Sequence, residues 1–114
     1  MKRIFLFAVC LLLISQTAFA HPPTDIAIIY DKGTKMLEVV ITHPVSNSEK
    51  HYIKKVDTAI NGVEVIEQKI SRQDNGTAQR AWYYIPDVKD GDVISVEGYC
   101  SIHGKLKKEI TIEM

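Results

Sequence analysis

The chain has 114 residues, with 14 basic and 14 acidic side chains and a formal charge of zero when histidine is neutral. A balanced charge argues against nucleic acid as a partner, and the length allows one small domain with a modest core. There are two cysteines and four histidines, few enough for each to be asked its purpose.

Lys2 and Arg3 precede an apolar run from Ile4 to Ile14, and Ala18-Phe19-Ala20 carries the small residues that a signal peptidase reads. Residues 1–20 are therefore expected to be a secretory leader, too short to span a membrane comfortably, and Cys10 is expected to leave with it. Cleavage after Ala20 leaves residues 21–114 as one domain that begins at His21, with 12 basic against 14 acidic residues. No second long apolar run follows, so the expected product is exported, in a bacterial periplasm, with no membrane attachment. Its one cysteine, Cys100, has no internal disulfide partner. A lone thiol in an oxidising compartment calls for burial, an intermolecular bond or a metal.

The rest of the chain reads as short strands between turn signals. Asp25 to Tyr30 ends at Asp31-Lys32-Gly33, and Met36 to Thr42 alternates with Leu37, Val39 and Ile41 on one face. His51 to Ile60 meets Asn61-Gly62, a strong two-residue hairpin signal, and Val63 to Ile70 returns from it. Ala81 to Ile85 carries Trp82, Tyr83 and Tyr84, which read as sheet-face and core packing. Asp90-Gly91-Asp92 turns into Val93 to Tyr99, and Leu106 to Met114 ends the chain. These predict an all-β fold, an immunoglobulin-like antiparallel β-sandwich of about seven strands.

His21, His43, His51, Cys100 and His103 all fall at strand ends or in loops of that scheme, where a rigid scaffold presents ligands. One soft sulfur and four imidazoles could form a metal site, and such Cys/His mixtures suit zinc. Composition alone leaves the alternative that His43, His51 and His103 are solvated loop residues.

The local sequences His43-Pro44-Val45, His51-Tyr52-Ile53 and Tyr99-Cys100-Ser101-Ile102-His103-Gly104 resemble the iron-site motifs of superoxide reductases. In neelaredoxin and the C-terminal domain of desulfoferrodoxin the pattern runs His-Pro, His-Tyr-Ile, then Tyr-Cys-Asn-x-His-Gly. His21-Pro22-Pro23 is similar to the family's upstream His-x-Pro context. The resemblance spans nearly all of residues 21–114 and implies the same sandwich fold. It also implies a mononuclear non-haem iron, Fe(2+)/Fe(3+), with His21, His43, His51 and His103 as nitrogen ligands and Cys100 as axial thiolate. Backbone N–H groups around Ser101 to His103 would tune the sulfur. The implied activity is that of an oxidoreductase reducing superoxide to hydrogen peroxide at an open sixth position, served by an electron donor protein.

The chain departs from that pattern in four places. The family's Glu-Lys pair before its first histidine is missing, and Glu49-Lys50 stands before His51 instead, which makes Lys50 a candidate for attracting superoxide. Seven residues separate His43 from His51 where the family has five. Ser101 replaces asparagine, and Lys105-Leu106-Lys107 replaces a tryptophan. A mature N-terminal histidine could also chelate copper through its amine and its ring. The alternative reading is thus a non-enzymatic metal-binding or electron-transfer module, holding iron or copper. A sandwich with an interaction role and no metal is a third. A homo-oligomer is left open.

Overall fold

The structure, a computed structural model, describes residues 21–114; the expected leader at 1–20 lies outside the described residues. Seven antiparallel strands follow in order: β1 (Asp25–Asp31), β2 (Met36–Thr42), β3 (Ile53–Ile60), β4 (Val63–Lys69), β5 (Ala78–Tyr84), β6 (Val93–Cys100) and β7 (Lys105–Thr111). They form a three-stranded sheet in the order β1-β2-β5 and a four-stranded sheet in the order β4-β3-β6-β7. This is the β-sandwich expected from the sequence. Relative to a constant-type immunoglobulin domain, the fourth strand pairs with the third instead of the fifth.

Period-two alternation builds the core. Leu37, Val39 and Ile41 of β2 are wholly buried against Ile53 and Val56 of β3 and Ile94 and Val96 of β6, with Ile26, Ala81, Tyr83 and Ile85 completing the cluster. Burying such aliphatic side chains contributes about 1.5–3 kcal/mol each, against the entropy of ordering the chain. Tyr83 keeps its hydroxyl satisfied by donating to Gln68 Oε1 at 2.7 Å, and burial pushes its phenol up to about 12. Its neighbours Trp82 and Tyr84 point the other way and are 53% and 62% exposed. Only the middle member of that aromatic run is core, because alternation sends the flanking pair to the outer face.

Turns and irregularities place the sheet ends. Asn61 and Gly62 both adopt positive φ, 51° and 83°, as the two-residue hairpin of β3 and β4 requires. In the β3–β6 pairing Ile53 faces Cys100 while Lys55 faces Tyr99, so Lys54 is an extra residue on β3. Such a bulge sharpens the local twist and re-aims the residues before it, here His51 and Tyr52. Gly98 of β6 has no side chain to hold Ile41 off; a Cβ there would sit 3.0 Å from Ile41 Cδ1. The two sheets therefore approach closely at the Ile41–Gly98 level.

Thr58, on the inner face of β3, is fully buried and its hydroxyl has no partner. A buried hydroxyl without a hydrogen bond costs stability, and valine keeps nearly the same shape. Thr58→Val should leave stability unchanged or raise it by about 1 kcal/mol. Urea unfolding measures this; a loss of stability would mean that the hydroxyl is satisfied in solution.

Candidate metal centre

One further inward step from Ile41 along β2 is His43, and one further inward step from Gly98 along β6 is Cys100. Both continue the alternation of their strands toward the same end of the sandwich, and both are buried, at 0% and 3% exposure. The polar end of the core is thus made by the same rule that makes its apolar middle. Pro44 has no N–H to continue β2, yet the chain stays pinned: His43 N–H donates to Thr77 O at 2.9 Å and Val45 N–H to Gly76 O at 2.8 Å.

His51 comes from the loop before β3. Asn47 builds that loop, its Oδ1 accepting the Glu49 N–H at 3.1 Å and its carbonyl accepting the His51 N–H at 2.9 Å. Tyr52 then locks to the Cys100 loop: Ser101 N–H donates to Tyr52 O at 2.8 Å and Tyr52 N–H to Ser101 Oγ at 3.1 Å. His21 lies ahead of β1 on a segment held by the buried Pro23 and by Thr24 N–H on Thr42 O at 2.9 Å. Gly104, at φ +85°, packs so tightly on this segment that a Cβ would come within 2.7 Å of Pro22 Cβ.

These three loops bring His21, His43 and His51 together. Their ring centroids are 4.7–5.2 Å apart and the rings stand edge to face. One nitrogen from each lies within 4.8 Å of the others, so the group could hold a metal ion. His51 Nε2 is buried without a hydrogen-bond partner. An orphaned nitrogen among imidazoles is costly unless an ion or proton completes it. Desolvation first, then the neighbouring His43 and His21, lowers the His51 pKa below the ordinary 6.5, which favours the neutral ring that a metal needs. His21 is differently placed: Nδ1 lies 2.8 Å from Pro22 O and Nε2 2.9 Å from Pro44 O. Ligation through His21 exchanges one of these contacts for the metal.

Cys100 and His103 fall outside the three-imidazole group. The Cys100 thiol sits under its own loop and receives N–H groups from Ile102 at 3.4 Å and His103 at 3.5 Å. Those are the backbone donors expected around Ser101 to His103. The His103 ring is exposed, lining a shallow recess with Lys54, Tyr99, Ile102 and Lys105. Lys50 is exposed on the loop immediately before His51. Of the five ligand candidates, then, three converge, one is buried under its own loop outside that group, and one turns to solvent.

Gln73 is the residue that sequence reasoning missed. It is 1% exposed, in the loop between β4 and β5, and its side chain holds His43 Nδ1 at 2.8 Å. A polar loop around Asp74-Asn75-Gly76 gave no sign that one amide folds back into the core. A second group, Asp57, Glu64 and Glu67, lies on the outer face of the four-stranded sheet. Lys55 already serves it, at 3.3 Å from Asp57 and 3.8 Å from Glu67.

No protein-family model and no curated protein matches the chain. Among solved structures it is similar to the hypothetical protein PH1083 from Pyrococcus horikoshii OT3, with a TM-score of 0.60 and 21% identity over 82% of this chain and 92% of that one. At that identity the likeness is one of fold.

Two outcomes follow from the packing of the site. Gly104→Ala forces a side chain into the left-handed region, which costs about 1–2 kcal/mol, and presses on Pro22. It should lower the melting temperature and weaken metal uptake together; an unchanged melting temperature would show that the loop relaxes freely. Second, the folded protein resists protonating His51 more than the unfolded chain does. Stability of the metal-free protein should hold above pH 6.5 and fall as pH drops through the lowered His51 titration. His51→Phe should flatten that part of the profile, measured by urea unfolding across pH.

Proposed function

We propose that this protein is an exported mononuclear iron protein similar to the superoxide reductases, an oxidoreductase that reduces superoxide to hydrogen peroxide. The observation that carries the reading is the convergence of three imidazoles at one sandwich end, with the buried Cys100, whose sulfur accepts two backbone N–H groups, paired on β6 with Ile53, two residues after His51. The ordered motifs around His43, His51 and Cys100 add the family likeness. In this reading His21, His43, His51 and His103 hold iron through nitrogen and Cys100 holds it through sulfur. His103 must turn inward to join, and its place beside Gly104 in a short loop makes that a local movement.

The donor set suits the chemistry. Neutral imidazoles stabilise the ferrous state, and a thiolate lends electron density to the metal. Iron bound there supplies one electron, so that superoxide with two protons becomes hydrogen peroxide. The chain's own contributions are distinct. The apolar core behind His43 and Cys100 excludes water from one side of the site. The N–H groups of Ile102 and His103 donate to the sulfur and hold it in place. Lys50, exposed beside His51, offers the positive charge that draws a small anion toward the imidazoles. An external electron donor protein restores the reduced state.

A second reading has its own observation: the imidazole group is complete without Cys100 and His103. Three nitrogens without sulfur suit copper or zinc in a binding or electron-transfer module.

One set of measurements separates the two. Protein loaded anaerobically with ferrous iron and then oxidised should show a thiolate-to-iron charge-transfer band, and Cys100→Ser should abolish it. Stopped-flow mixing of the reduced protein with superoxide should yield stoichiometric peroxide, more slowly by about tenfold or more in Lys50→Ala if that charge steers the anion. A protein that refuses iron, or whose iron spectrum ignores Cys100→Ser, sinks the superoxide reductase reading. Tight copper uptake with no effect of the cysteine would establish the second.

A further inference from the structure

The Gln73 amide can be oriented without ambiguity. Its Nε2 lies 2.8 Å from His43 O and 2.8 Å from Asn75 O. Both partners are carbonyl oxygens, which only accept, so the two hydrogens of the amide nitrogen are committed to them. Turning the amide over would set its oxygen against both carbonyls. Oε1 is therefore the atom at His43 Nδ1, 2.8 Å away, and an amide oxygen can only accept. The proton must be on His43 Nδ1.

In the neutral ring that is the one proton, and Nε2 carries a lone pair; in the imidazolium Nε2 holds a second proton. That atom points at the His21 carbonyl oxygen, 3.1 Å away. The neutral ring sets two acceptors against each other there, which a metal ion or a second ring proton relieves. The same spot is flanked by His51, whose own Nε2 is buried without a partner.

We infer that Gln73 is a positioning residue that fixes His43 as the Nδ1–H tautomer, so that His43 ligates metal through Nε2 and no other atom. The inference rests on the reading of this end of the sandwich as a metal centre, although the tautomer is a property of the metal-free protein as well. The loop is built for the task. Gln73 N–H donates to Ser48 O at 2.9 Å, which ties the β4–β5 loop to the loop that carries His51. Asn75 holds the far side of the turn, accepting N–H groups from Thr77 and Ala78, each at 2.9 Å. One buried amide thus couples the orientation of His43 to the loop presenting His51. Outer partners of this kind commonly affect metal affinity by about 10–100-fold.

Long-range proton–nitrogen correlation spectra of the ¹⁵N-histidine-labelled, metal-free protein at pH 8 test the tautomer directly. His43 should show a protonated Nδ1 and a pyridine-like Nε2, and the Nε2 signal should be the one that shifts when Zn²⁺ is added. The opposite tautomer, or a Zn²⁺-induced shift at Nδ1, overturns the inference. If the wild type shows the Nδ1–H tautomer but takes up neither Zn²⁺ nor Co²⁺, the metal-centre reading fails while the tautomer assignment stands. Gln73→Leu should weaken Co²⁺ binding by about 10–100-fold and alter the visible Co²⁺ spectrum. Gln73→Glu, which keeps an oxygen acceptor at Nδ1 but sets its second oxygen against the His43 and Asn75 carbonyls, should keep the Nδ1–H tautomer while lowering thermal stability. A Leu variant of lower thermal stability but unchanged tautomer, affinity and spectrum would mean that Gln73 only braces the loop.

Discussion

A β-sandwich has open ends, and the end of this one must be closed by side chains that can meet both the apolar core and water. Alternation decides which residues face that task. With Ile41 and Gly98 in contact across the sheets, the next inward positions belong to His43 and Cys100. Neither lies in a flexible arm; each is the continuation of a core strand. The rest of the site is organised from those two fixed points, with loops bringing His21 and His51 to His43 and the 101–104 turn folding over Cys100. Because the anchor is the core itself, a change as far away as Gly98 would be transmitted to the imidazoles by displacing Ile41.

Electrostatics then constrains what this end can be. Three imidazoles with centroids about 5 Å apart repel one another when charged, since each cation raises the cost of the next. Neutral rings leave lone pairs, and at His51 and His43 those lone pairs have no donor to receive. Among the described residues no hydroxyl or amide reaches His51 Nε2. Gln73, the one amide present, is turned so that it adds to the acceptor character of His43 instead of relieving it. Such an arrangement is unfavourable by itself and becomes favourable with a cation, which is the ordinary logic of a site whose folding and metal binding are coupled.

Much of this was legible in the sequence, for identifiable reasons. The strands announced themselves through alternation in Leu37–Ile41 and through Asn61-Gly62, whose positive φ values are what that dipeptide permits. The ligand candidates could be found because so few histidines and cysteines are present to choose from. Their burial could not. His43 follows a strand and precedes a proline, which reads as a loop, yet alternation persists one residue past the last ladder bond and carries it inside. Trp82 and Tyr84 show the converse, apolar residues that alternation sends outward. Gln73 was invisible because its role depends on two carbonyls brought together only by the fold, and a glutamine in a polar loop has no spacing to betray it.

The uneven tethering of the five candidate ligands bears on how the site would work. His43 is fixed by core packing and by Gln73, Cys100 by its strand and two N–H groups, and His51 by the Asn47 turn and the Tyr52–Ser101 pair. His21 and His103 are held less firmly, the one by ring contacts to the Pro22 and Pro44 carbonyls, the other with its ring exposed. These two are neighbours through Gly104 and Pro22, which pack against each other at close range. A turn of His103 inward would press the same surface that seats His21, so the two looser ligands would be expected to engage as a pair. Glycine alone holds the backbone angle at position 104 without strain, so the close packing of that turn on Pro22 depends on it.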